Sequence, residues 1–406
     1  MNAFLRLLVF VAAIPLAGQE VLSIDEAVRR ALANHPLLAA QTERIAAAGG
    51  LVQQARLRPN PIIYMQSENW SITGADPIGT SVNSDQFGYF TQTIETGNKR
   101  QRRVEASQEA QKLTTLEREL LEKQIAARVK QAYWAAAGAE RIRQLWVEQQ
   151  DNFRQTIEYH EIRVREGALA ESELLRVRLE ADRFSVAAAS AELGAERARI
   201  GLLKEMGELE IRPIMLATPL EMAPVSVLPD VAIALDQRAE AKMARQGIEL
   251  AAANLKVQRS LARPNIEAGF GYKRNFGYNT LLFTTQFGLP INNKNQGNIQ
   301  AALSEEKAAR ASLVAAEAVV RAELRTAERE LENRRSQLQN LLATSRQRAT
   351  ESAQIANAAY REGGADLLRL LDAQRVRIDL EVLNATTLME YRQSIVALET
   401  AMGVNP

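Results

Sequence analysis

Two spans of this sequence contain no proline and almost no glycine, and each is far longer than a helix in an ordinary globular domain. The first runs from Lys99 to the turn signal Arg165-Glu166-Gly167, with Gly138 its only internal glycine. The second runs from Lys294 to Arg361-Glu362-Gly363, with only Gly297 inside. At 1.5 Å per residue either span makes a helix of about 100 Å, where three or four turns are usual. Something outside the helix sets such a length, and its recurrence makes the chain a duplicated rod. The two rods are expected at about 99–166 and 294–362.

The duplication reaches beyond the rods. Ile45-Ala46-Ala47-Ala48 and Arg58-Pro59-Asn60 return as Leu250-Ala251-Ala252-Ala253 and Arg263-Pro264-Asn265, 205 positions on (264 less 59). Before the first rod, Ser23-Ile24-Asp25-Glu26 has capping-box spacing and opens a short helix that stops at Asn34-His35-Pro36. A second helix follows from about Leu37 to Leu57. The rod then returns through a helix of about Glu171 to Met206. Residues 207–230, with Pro213, Pro219, Pro224 and Pro229, read as a linker. One helix from about Val231 to Ala262 opens the second half, and the last runs from about Asp366 to Met402. Leu324, Leu331 and Leu338 recur at coiled-coil spacing. The expected organisation is a first repeat over 18–206 and a second over 231–406.

After each Arg-Pro-Asn the period changes to two. Ile266, Ala268, Phe270 and Tyr272 alternate with Glu267, Gly269, Gly271 and Lys273; Leu281, Phe283, Thr285, Phe287 and Leu289 alternate with Leu282, Thr284, Gln286 and Gly288. Strands are expected at about 265–273 and 281–289, and in the first copy, where the alternation is weaker, at about 61–70 and 86–94, with Phe87 and Tyr89 on one face and the polar loop Ser71 to Ser84 between them. Nine-residue strands with one apolar face suit a transmembrane β-barrel. A soluble β-hairpin is the alternative for either hairpin alone, weakened by two copies flanked by long helices in an exported chain, and a purely structural bundle has no use for Ile266, Ala268, Phe270 and Tyr272 facing lipid. Met1 to about Ala17 reads as a secretory signal peptide, with Arg6, an apolar run from Leu7 to Leu16 and Pro15. No apolar run of membrane-helix length follows it.

Composition closes off other classes. The 50 basic and 49 acidic residues give a net charge of +1 with no basic stripe, which argues against nucleic acid. Aromatic residues make up 5% of the chain, too few for a large globular core, and with no cysteine there is neither a disulfide nor a thiolate metal site. No nucleophile elbow or phosphate loop is present, so neither enzymatic activity nor a cofactor is expected. The two histidines, His35 and His160, are far apart in sequence; His35 reads as a helix-end residue and His160 as a surface residue of a polar helix.

Four strands cannot close a barrel, and an open edge in hydrocarbon leaves backbone groups unpaired at several kcal/mol each, so the chain must oligomerise in the membrane. Three copies give twelve strands and two give eight. The rods would continue the barrel as a helical tube, and a tube that long implies a conduit.

Leu57-Arg58-Pro59-Asn60-Pro61 with Glu68-Asn69, then Gln92-Thr93-Ile94-Glu95-Thr96-Gly97-Asn98-Lys99-Arg100, and Leu367-Leu368-Arg369-Leu370-Leu371-Asp372-Ala373-Gln374-Arg375 together with the duplication closely resemble the TolC-like outer membrane efflux proteins, in their heavy-metal branch. The resemblance covers essentially the whole mature chain. It implies a mainly α fold with a β-barrel part: a homotrimer with a twelve-stranded barrel in the outer membrane lipid of a Gram-negative cell, continuous with a periplasmic α-barrel. It also implies a passive exit duct docked to a periplasmic adaptor (a membrane fusion protein) and to an inner-membrane pump of the resistance–nodulation–division type. A duct for drugs or for type I protein secretion is the nearest alternative, and an exported coiled coil without a channel is the alternative of another class. Carried over residue by residue, the resemblance makes Gly167, Ala168, Leu169, Gly363 and Gly364 candidates for adaptor docking. It also carries over a pair of aspartates lining the periplasmic constriction, the second at Asp372, while the first position holds Arg369. Ser172 and Glu173 match positions that keep the constriction shut, so Arg369 could clasp Glu173; alternatively Asp366, Arg369 and Asp372 pair along one helix face.

Overall fold

The computed structural model describes residues 20–70, 84–225, 230–275 and 277–404. The expected signal peptide over 1–17, nearly all of the Ser71–Ser84 loop and Pro229 of the linker lie outside the described residues. The described residues open with β1 (Glu20–Leu22), α1 (Ile24–Asn34) and α2 (Pro36–Arg56), then β2 (Ile62–Glu68), β3 (Asp85–Ile94), the long α3 (Lys99–Arg165) and α4 (Glu171–Glu205). After β4 (Ile214–Leu216) the plan repeats as α5 (Val231–Gln237), α6 (Ala239–Leu261), β5 (Ile266–Asn275), β6 (Tyr278–Phe287), α7 (Gln296–Ser336), a π-helical turn (Gln337–Leu342), α8 (Ala343–Arg361) and α9 (Leu367–Met402).

Three local features depart from the sequence reading. The segment 207–230 is more than a linker, because Ile214–Leu216 pairs in parallel with Glu20–Leu22. The buried Tyr133 of α3 fixes that pair, its hydroxyl donating to Leu22 O at 3.0 Å and accepting from Thr218 N at 2.9 Å. The helix expected over 231–262 is broken at Arg238 (φ −64°, ψ 127°), as the first copy is at His35 (φ −65°, ψ 125°). In the first copy Pro36 announces the break. In the second, tertiary contacts impose it: the buried Arg238 pairs with Glu240 at 2.9 Å and Glu323 at 2.6 Å, and Gly403, at φ 69°, lies against Arg238 as Gly207, at φ 75°, lies against His35 and Pro36. Finally, β6 begins at Tyr278, since pairing runs to Asn275↔Tyr278 around a tight turn holding Gly277 at φ 79°.

The π-helical turn has a readable cause. Val320, Leu324, Ala327, Leu331 and Leu338 form a heptad seam, and the buried residues beyond it, Leu342, Ala349 and Ala353, each fall one position late for the same heptad. The wider turn takes up that extra residue, putting Leu341 out at 63% exposure and Leu342 inside at 7%. Deleting Leu341 should therefore convert the π turn to α and cost less than about 1 kcal/mol, whereas deleting Ala135 from the unbroken α3 rotates all that follows by one residue and should cost far more. Thermal melting of the two deletions by circular dichroism checks this.

The sheet is antiparallel in the order β2-β3-β5-β6. Directly paired residues point to the same side, so the register sorts side chains by face. One face carries Ile63 and Met65, Phe90 and Ile94, Ile266, Phe270 and Tyr272, then Leu281, Phe283 and Phe287. Phe90, Phe270 and Phe283 form a continuous aromatic row, with ring centroids 6.2 and 5.0 Å apart. Phe87 and Tyr89 share one face, as their spacing predicts, and it is the face opposite this row: their partners are Lys273 and Gly271, and Lys273 Nζ sits 4.8 Å from the Phe87 ring centroid. In β3 the apolar phase is carried by Phe90 and Ile94, and Gly271 leaves room for Tyr89, whose Cβ a side chain there would strike.

Where β3 and β5 meet the helices, the repeated motifs dock on each other. Thr96 Oγ1 donates to Pro264 O and the buried Lys99 donates to Asn265 Oδ1.

Candidate gate and docking tips

The end remote from the sheet is built by the turns after α3 and α8. In both, a glycine in the left-handed region closes the helix: Gly167 at φ 73°, with Ala168 N bonding Arg163 O at 2.9 Å, and Gly363 at φ 78°, with Gly364 N bonding Ala359 O at 2.8 Å. These are paired Schellman turns, a geometry that glycine adopts at least cost. Gly167, Ala168, Gly363 and Gly364 are exposed and Leu169 is half-buried.

Above the turns, Phe153 of α3, Val177 and Phe184 of α4, and Leu367, Leu370 and Leu371 of α9 form one apolar cluster, with Tyr360 of α8 and Trp146 against it. The leucines of the Leu367–Arg375 motif are thus divided by face. Leu367, Leu370 and Leu371 point inward, while Leu368, Arg369 and Asp372 are exposed. Arg375 reaches across to Glu180 of α4, its Nε 2.7 Å from Oε1 and its Nη2 on Oε2. Glu180 is 4% exposed, and this paired carboxylate raises the Arg375 pKa above the usual guanidinium value. Asp372, one turn away, adds to the same effect.

The candidate gate residues separate by role. Asp366 caps α9, its Oδ1 accepting from Arg369 N at 3.0 Å, so the link between these two is a cap through the backbone and not a side-chain ion pair. Among the described residues of one chain, Arg369 pairs with no carboxylate, neither Asp366, Asp372 nor Glu173. Ser172 is exposed and Glu173 half-buried. Glu173 faces Tyr360, whose pKa is raised first by burial and then by the Glu173 charge.

His160 overturns the surface reading, for it is fully buried at 0% exposure. Its Nδ1 lies 2.6 Å from Thr156 O, which can only accept, so Nδ1 carries a proton and donates there, while Nε2 lies within hydrogen-bond distance of the Tyr360 hydroxyl at 2.7 Å. The rings stack with an interplanar angle of 14°. The missed signal was spacing: Trp146, Phe153 and His160 recur at seven and place the imidazole in the seam. The pair ties α3 of the first repeat to α8 of the second beside the turns. No group of His, Cys, Asp and Glu that could hold a metal occurs among the described residues.

Residues 27–208 match the family profile described as Outer membrane efflux protein. The cobalt-zinc-cadmium resistance protein CzcC of Cupriavidus metallidurans is 22% identical over 385 residues, 94% of this chain and 90% of that protein. Among solved structures, a membrane protein from Pseudomonas aeruginosa superposes with a TM-score of 0.80 at 16% identity, covering 94% of this chain and 90% of the other. The open state of the MtrE outer membrane channel of Neisseria gonorrhoeae gives 0.79 at 17% identity, covering 94% and 89%. Residues 27–208 thus carry the outer membrane efflux protein signature, the fold around them is shared with outer membrane channels over 94% of the chain, and the resemblance to TolC-like outer membrane efflux proteins holds.

Proposed function

We propose that the protein is the outer membrane exit duct of a tripartite efflux system, in which three copies close a twelve-stranded barrel and their helices continue it as a tube through the periplasm. The observation that carries this reading is the sheet order β2-β3-β5-β6, which among the described residues leaves β2 and β6 as bare edges in a sheet with one apolar face. In hydrocarbon such edges are satisfied only by closure with other copies. The duct is passive; a periplasmic adaptor docks at the tips around Gly167, Ala168, Leu169, Gly363 and Gly364, and an inner-membrane pump of the resistance–nodulation–division type supplies the energy. The likeness to a cobalt-zinc-cadmium resistance protein supports divalent metal cations as cargo.

At the closed end, threefold symmetry would bring three exposed Asp372 side chains together around a narrow opening, where their charge attracts cations and repels anions. Arg369, unpaired within one chain, is free to meet Glu173 of a neighbouring copy and hold the opening shut, with Ser172 beside it. Removal of the gene is expected to sensitise cells to cobalt, zinc or cadmium, measured as growth inhibition. Altered export of drugs or proteins alone would overturn the metal assignment and leave the duct standing.

A further inference from the structure

Resting on the reading that copies of this chain close one barrel, we infer that the internal duplication dictates the register of the seam between copies: Gln286 of β6 lies directly opposite Tyr64 of the next copy's β2. The chain already contains one seam between its two hairpins, where β3 pairs with β5 and Thr91 lies opposite Gly269. The seam between copies joins the same two kinds of strand, the second strand of one hairpin and the first strand of the next.

The equivalences follow from the repeats. Asn60 and Asn265, the ends of the two Arg-Pro-Asn motifs, are 205 positions apart, so Gly269 corresponds to Tyr64 and Glu267 to Ile62. Ile62 pairs with Thr91, and Glu267 pairs with Gln286, so Thr91 corresponds to Gln286. Substituting both into Thr91↔Gly269 gives Gln286↔Tyr64. The neighbouring pairs are Phe287↔Ile63, Thr285↔Met65 and Thr284↔Gln66.

An independent feature supports this alignment. A slip of one residue would put apolar side chains on the wrong side of the sheet, because pointing alternates along a strand. In the inferred register Phe287 meets Ile63 and Thr285 meets Met65, all four from the apolar face defined by the pairing within the chain. That face then runs unbroken around the barrel. In the single chain that face is exposed on both edge strands, with Ile63 72%, Met65 81% and Phe283 73% exposed. At the foot of the existing seam Pro264 and Asn265 are covered by Thr96 and Lys99, whereas Arg58, Pro59 and Asn60 at the foot of β2 are exposed and await the equivalent segment of a second copy.

The natural chain has no cysteine, so paired cysteines report the seam without background. Opposed Cα atoms in an antiparallel pair lie about 5 Å apart, within disulfide range. Variants carrying Gln286→Cys with Tyr64→Cys, or Phe287→Cys with Ile63→Cys, should give disulfide-linked dimers and trimers on oxidation in isolated outer membranes. Gln286→Cys with Ile62→Cys, and Gln286→Cys with Gln66→Cys, displaced by two residues, should give at least tenfold less, and the single-cysteine variants none. Strongest linkage at a displaced pair would overturn the register while leaving barrel closure intact. No linkage at any pair, in protein that remains monomeric in the membrane, would overturn closure itself.

Discussion

Gly138→Val is expected to force apart two of the longest helices in the chain, α3 and α9, at a cost of about 3 kcal/mol, the upper end for overpacking a tight contact. A Cβ at Gly138 would come within 2.8 Å of Met389 Cβ and Cγ and 2.6 Å of its sulfur, so relief requires more than a swing of the thioether. The same crossing is held by Arg392 stacked 3.8 Å from the centroid of the buried Trp134 ring, by Lys130 paired with Glu399 at 3.1 Å, and by Gln149 accepting from Arg377 at 2.5 Å. Separation at Gly138 therefore strains contacts up and down the rod. Gly138→Ala should cost less, since the gain in helix propensity of about 1 kcal/mol offsets part of the clash. Melting temperatures of the two variants, with Gly297→Ala as a control in open space, measure the difference.

Arg375→Ala should be nearly as damaging, at about 2–3 kcal/mol, because it strands the buried Glu180 carboxylate. Loss of one partner from a fully buried pair costs about 3–5 kcal/mol; the 39% exposure of the Arg375 side chain and the nearby Arg183, 3.7 Å from Glu180, reduce that here. Glu180→Met with Arg375→Met should be close to neutral, since both charges leave together and neither replacement strands a buried polar group. A double-mutant cycle on thermal stability gives the coupling directly. If Arg375→Ala proved as mild as the double variant, the pair would be an ordinary surface contact.

Most of the architecture was legible because its signals are long and repeated. Spans free of proline announced the rods, and alternation after Arg-Pro-Asn announced the hairpins. What escaped the sequence was set by contacts between distant segments. The break at Arg238 has no proline to mark it and depends on Glu323 and Gly403, far along the chain. The β1–β4 pair is three residues long on each side, too short for any period to show. That Phe87 and Tyr89 share a face was legible from their spacing, whereas which of the two faces it is follows from the register against β5. Asp372 and Arg369 lie on the exposed side of α9, and among the described residues of one chain no carboxylate pairs with Arg369, so their part in a gate is not decided by contacts within the chain. His160 was hidden by its type: a polar residue in a seam position looks like surface until the heptad from Trp146 is followed through.

The most direct test of the account is the electrical behaviour of the purified protein in planar lipid bilayers, with its oligomeric state fixed by cross-linking before reconstitution. Trimers should produce discrete single-channel steps, and Asp372→Ala should reduce their preference for cations over anions, while the monomer fraction should be silent. Steps carried by the monomer, or trimers that insert and never conduct, would contradict the reading of this chain as one third of an exit duct.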